Sequence, residues 1–172
     1  MSYKDGEVVI LQVDPFHPVL GHLFPLMLQR MVDFAKVHYA EISPMAQARD
    51  HAVRACAGDP DLLLLALLGP DGKLIGHSVA TVQETYGRRW LFVTQCKADE
   101  SSGDAIARVI KKNEEFARAR GADILIFETR RSDSAWAKAY GFKTMRHLMS
   151  KSLNGQDYEV VESPDLKASK GA

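Results

Sequence analysis

RWLFVTQCKADESSGDAIARVIKKNEEFARARGADILIFETRRSDSAWAKAYGFKTMRHLMSKSL, residues 89 to 153, decides the fold of this 172-residue chain. It reads as a strand, an acid-flanked glycine turn, a long amphipathic helix, a second strand, a short helix closed by Gly141-Phe142, and a last strand. On the first strand Trp90, Phe92 and Thr94 alternate with Leu91, Val93 and Gln95. The helix is expected from Ser102 to Arg120, with an apolar stripe of Ile106, Val109, Ile110, Phe116 and Ala117. Ser101 and Asp104 have capping-box spacing, and Gly121 stops the helix. Asp123–Thr129 is the next strand. A helix joining two strands is a crossover, so that pair is expected to be parallel.

Outward from this run, Glu7–Val13 reads as a first strand ended by Asp14-Pro15. Phe16–Ile42 reads as a helix in which Leu23, Met27, Met31 and Phe34 recur at helical spacing; Pro25 demands a later start or a kink. Met45–Ala57 is a second helix. Leu62–Leu68 is a continuous apolar run, expected to be a strand buried on both faces. Gly69-Pro70-Asp71-Gly72 is a hairpin turn, and Leu74–Glu84 is the next strand. The expected fold class is α/β, with a mixed, mostly antiparallel central sheet flanked by helices in the order β-α-α-β-β-β-α-β-α-β. Residues 1–153 are expected to form one domain and 154–172 a polar tail.

Composition excludes several classes. Apolar residues make up 46% and charged residues 26%, ordinary for a soluble domain. Lys plus Arg and Asp plus Glu are 22 each, so no global field favours nucleic acid or an anionic membrane. The two cysteines, Cys56 and Cys96, make no CxxC pair and are expected to be reduced thiols. The histidines lack metal-ligand spacing, and no metal is expected. The N-terminus lacks an apolar signal core, and Leu62–Leu68 is too short to span a bilayer; a cytosolic protein is the expectation.

The element order, the turn Glu100-Ser101-Ser102-Gly103-Asp104-Ala105 and the later Gly141-Phe142 resemble the GNAT superfamily of acyl-CoA-dependent N-acetyltransferases, over about residues 7–153. The resemblance implies acetyl-CoA as co-substrate. Its pyrophosphate would lie on the amides of Ser101, Ser102, Gly103, Asp104 and Ala105, and its pantetheine along Gln95, Cys96 and Lys97. Gly103 and Ala105 fit the family's Q/R-x-x-G-x-G/A loop, whereas Glu100 replaces its Gln or Arg. The family's general acid, a Tyr four residues before the Gly of Gly-Phe, is Ala137 here, and Tyr140 stands next to the Gly instead. Glu84 and Glu128 are the candidate bases, and Tyr140 the candidate acid.

Two main expectations follow. One is an N-acetyltransferase acting on a small amine or a protein amino group. The other is a catalytically inactive structural or interaction subunit, a homo-oligomer or part of a larger assembly, whose tail docks on a neighbouring copy; Ala137, Gln95 and the acidic loop point to it. A sensor that binds CoA without turnover is a third.

Overall fold

The computed structural model describes residues 8–38, 43–85, 87–99, 104–127 and 139–142. The chain divides into two compact units, residues 1–128 and 129–172. The expected boundary at 153/154 lies outside the described residues.

In the first unit, β1 (Val9–Gln12), β2 (Leu62–Leu68), β3 (Leu74–Thr85), β4 (Arg88–Ala98) and β5 (Ile124–Phe127) form one sheet in the order β1-β2-β3-β4-β5. All neighbours are antiparallel except β4 and β5, which are parallel as the crossover requires. Helices α1 (Leu23–His38) and α2 (Pro44–Cys56) precede β2, and α3 (Ala105–Ala119) joins β4 to β5.

The leucine run of β2 organises the packing. Leu63, Leu65 and Leu67 enter one core with Leu91, Val93, Val109 and Ala117, which is the α3 side. Leu62, Leu64 and Ala66 enter a second core with Leu23, Met27 and Met31, which is the α1 side. A strand covered on both faces needs no polar alternation, so its composition is uniformly apolar. Each fully buried Leu contributes about 1.5–3 kcal/mol relative to an exposed one.

Two expected boundaries and one expected alternation are corrected. The first helix begins at Leu23, not Phe16. Before it, the Asp14 carboxylate accepts the Phe16 N–H (2.8 Å), and His17 Nδ1 accepts from Val19 and Leu20 (3.2 and 3.0 Å). These side-chain bonds hold a turn where a helix would otherwise run. The later start also places Pro25 in the first turn, where a missing N–H breaks no bond.

The second correction is to α3, which starts at Ala105 rather than Ser102. Its N-cap is Asp104, whose side chain makes no capping bond. Asp104 has φ −81° and ψ 7°, not the extended backbone that lets a cap side chain reach back to the helix amides. Ser101 lies outside the described residues. By contrast α2 starts as a capped helix should: Ser43 Oγ accepts the Ala46 N–H, and Pro44 opens the helix.

The third correction concerns β4. Val79 of β3 pairs with Gln95 and Ala80 with Val93, so Thr94 is an extra residue in a bulge. The expected alternation therefore fails at its last member. Leu91 and Val93 face the α3 core, while Gln95 faces α1 and α2.

In the second unit a helix ends at Tyr140, and Gly141 follows at φ +73°, the left-handed stop that the Gly-Phe pair suggested.

Gly76 of β3 lies against the end of β4. A Cβ there would sit 2.6 Å from the Lys97 carbonyl oxygen and 3.0 Å from Ala98 Cα, both backbone atoms. Gly76→Ala should destabilise the protein by about 1–3 kcal/mol, read as a lower denaturation midpoint with an unchanged m-value.

Candidate functional site

The parallel pairing of β4 with β5 runs from Trp90↔Ile124 to Val93↔Phe127. Beyond Val93, β4 continues from Thr94 to Ala98, still paired with β3, while β5 is described as far as Phe127. The bulge directly follows Val93, the partner of Phe127 in β5. An extra residue in a strand re-aims backbone N–H and C=O groups out of the ladder. The Thr94 hydroxyl donates to the Val79 carbonyl (3.4 Å) across the bulge.

The three strand residues expected to line a cofactor diverge beyond the bulge. Cys96 is half-buried against the α3-side core, and Lys97 is exposed. Gln95 is 1% exposed and lies in a polar chain. Its Nε2 donates to Gln47 Oε1 of α2 (2.8 Å) and to the Met31 carbonyl of α1 (3.5 Å). Its Oε1 lies 3.0 Å from Nε2 of His77 on β3. Because both other bonds use the Gln95 amide donors, its oxygen must accept, which assigns the proton of neutral His77 to Nε2.

His77 is 1% exposed, with Phe34 of α1 edge-on at 5.8 Å. Burial is the main cause that lowers its pKa, to about 4; the bond to Gln95 opposes this, while Arg30 and Lys97 lower it further. His51 on α2 is lowered too, chiefly by burial, with Asp50 opposing and Arg54 assisting.

At the end of β4, Arg30 of α1 reaches both oxygens of Asp99 at 3.4 Å. Of the carboxylates Asp99, Glu100 and Asp104 around the glycine turn, Asp99 is thus offset by a cation. Asp104 is exposed and Ala105 fully buried at the start of α3. The first amides of this helix receive no bond from the Asp104 side chain. Glu100, Ser101, Ser102 and Gly103 lie outside the described residues, as do Glu128 and Ala137.

Glu84 is exposed and pairs with Arg89, five residues before Thr94. That is roughly 16 Å along the strand, too far for direct proton transfer at the bulge. Tyr140 is 38% exposed and belongs to the second unit. A groove of about 500 Å³ lies elsewhere, between the end of β1 and the end of α2, lined by Asp14, Phe16, Cys56, Asp59 and Arg120 among others. It contains none of the expected site residues. Both cysteines are free thiols, Cys56 exposed and Cys96 half-buried. Among the described residues no three His, Cys, Asp or Glu side chains converge, and no helix is long and apolar enough to cross a membrane.

Sequence reasoning missed the partners of Gln95. His77 reads as an isolated histidine and Gln47 as an ordinary helix residue. The available signal was the polar Gln95 at an apolar position of a strand. The same holds for Asn113, fully buried in the α3 stripe, which donates to Ser78 Oγ (3.4 Å) and to the Val109 carbonyl (2.9 Å).

No family model and no curated protein matches this chain. Solved structures do. An acetyltransferase from Trypanosoma brucei superposes with a TM-score of 0.59 at 16% identity, covering 85% of this chain and 99% of its own. Glucosamine-6-phosphate N-acetyltransferase from Arabidopsis thaliana gives 0.59 at 10% identity, over 86% and 99%. An aminoglycoside acetyltransferase from an uncultured soil metagenomic sample gives 0.57 at 14%, over 85% and 97%.

His77 binds protons more weakly when folded than its ordinary value of 6.5 allows, so the unfolded chain takes up more protons between the two values. Stability should be full above about pH 6.5 and fall by about 3 kcal/mol as pH drops to about 4, with His51 adding in the same sense. Denaturant titrations across this range test it, and His77→Gln should flatten the profile.

Proposed function

Because this chain has the fold of the GNAT acetyltransferases, we propose that it is an acetyl-CoA-dependent N-acetyltransferase acting on a small amine or a protein amino group. The observation that carries this reading is the Thr94 bulge, set on the strand that leads towards the start of α3.

The residues present fit such a co-substrate. The backbone of β4 from Thr94 to Lys97 would hold an acyl-pantetheine chain. The first amides of α3, at Asp104 and Ala105, with Ser101, Ser102 and Gly103 before them, suit a pyrophosphate. Arg30 offsets Asp99 beside this turn. Acetyl-CoA supplies a thioester whose carbonyl carbon takes the amine nitrogen as the carbon–sulfur bond breaks. An amide of the bulge would polarise that carbonyl, and holding both reactants in place would supply much of the rate. The amine must lose a proton. His77 is a weak base at neutral pH and is sealed from solvent, and Glu84 is distant from the bulge. Water, Glu128 or Tyr140 remains for the proton transfers.

The alternative, an inactive interaction subunit, loses one of its supports. The unusual Gln95 is accounted for by its buried bonds to His77, Met31 and Gln47. Ala137 and Glu100 still favour it.

Calorimetric titration should show saturable binding of acetyl-CoA and CoA, weakened at least about tenfold in Gly103→Trp, which blocks close approach to the turn amides. Asp104→Asn should tighten binding a few-fold at low salt and less at high salt, as a like charge is removed. Absence of binding up to millimolar ligand would overturn the reading in favour of the interaction subunit. Wild-type binding with no acetyl transfer across a panel of amines would leave the sensor.

A further inference from the structure

We propose that the buried chain His77–Gln95–Gln47 is the device that holds the Thr94 bulge, which makes Gln95 a positioning residue for the acyl group. The inference rests on the acyltransferase reading for its kinetic consequence, but not for its structural one.

A bulge has a competitor. Because side chains alternate along a strand, removing the extra residue would slip the end of β4 by one position and move each side chain beyond Thr94 to the opposite face. An apolar residue at position 95 would be buried on either face, since cores lie on both sides of the sheet. Such a residue exerts little control over the choice. Gln95 does exert control. In the bulged register its amide makes three hydrogen bonds, to β3, α1 and α2. In the slipped register it would face the α3 side, against Leu91, Val93 and Val109, and lose all three partners. The amide therefore selects the bulge.

The chain also fixes where the bulge sits. Gln95 directly follows Thr94, and its bonds tie it to His77 across the sheet, to the Met31 carbonyl and to Gln47. His77 serves as a directional donor, since its Nε2 proton is assigned by the acceptor it meets. Thr94 adds a bond from the other side of the ladder, to the Val79 carbonyl. Backbone groups at the bulge are thus held in one orientation before any ligand arrives. Gln95 need not touch the ligand. It acts through the backbone on the position of the acyl carbonyl, while the phosphate end would be anchored separately at α3.

The test uses the full chain and three substitutions. Gln95→Leu removes every bond. Gln47→Leu removes one acceptor at a half-buried position and keeps the protein folded should the first variant fail. Gln47→Glu restores that acceptor. In the ligand-free protein, amide hydrogen exchange at Thr94, Gln95 and Cys96 should rise about tenfold or more in both Leu variants, with exchange in α3 unchanged. With acetyl-CoA and an accepted amine, kcat should fall about tenfold while KM for acetyl-CoA moves less than about twofold, and Gln47→Glu should recover most of the rate lost in Gln47→Leu. Unchanged exchange in a folded Leu variant would overturn the proposal. So would a parallel loss of kcat, acetyl-CoA affinity and global stability with no recovery in Gln47→Glu, since that pattern marks a merely structural network. Wild-type protein that neither binds nor turns over acetyl-CoA would instead remove the acyltransferase reading, and the exchange data would still decide whether Gln95 holds the bulge.

Discussion

A buried primary amide has to find partners, and Gln95 finds them on only one face of its sheet. Its oxygen takes the His77 proton, and its two donors go to the Met31 carbonyl and Gln47. Those bonds require β4 to carry one residue more than β3 opposite it, and the extra residue is Thr94. A polar side chain in the core thus fixes the backbone register of the strand that carries it. The leucines of β2 make no such demand, because they are at home in either core.

The charge pattern around the glycine turn is less hostile to an anion than a count of its carboxylates suggests. Asp99 shares its charge with Arg30, although the pair is part-exposed and contributes modestly. Asp104 stays in water, where salt screens it, and does not occupy the helix amides.

The sequence was most readable where one physical signal dominated. The seven apolar residues of β2, the Gly69–Gly72 turn and the strand-helix-strand crossover each rest on a long or periodic pattern, and each lies where expected. Misreadings arose where short-range hydrogen bonding overrode periodicity. Asp14 and His17 bind backbone amides and delay α1, though Phe16 and Leu20 continue an apolar rhythm. Gln95 was placed by simple alternation with Leu91 and Val93, which a single inserted residue reverses. Its partners Gln47 and His77 lie 48 and 18 residues away in sequence, and no local pattern joins them. The acidic turn and the helix before Gly141 carry the family resemblance, yet the chemistry they imply depends on residues outside those described.

The unequal strand pairings also set an order of assembly. The meander β2–β3–β4 joins neighbours through short turns and closes small loops, whereas β4 and β5 meet only after α3 has formed between them. Local contacts form at lower entropic cost than distant ones, so nucleation falls to the meander and the four-residue β5 docks late. The β5 side of the sheet is therefore among the last parts to be completed during synthesis. Its late docking need not disturb the leucine strand, which lets a nascent chain keep its folding nucleus while the sheet is finished.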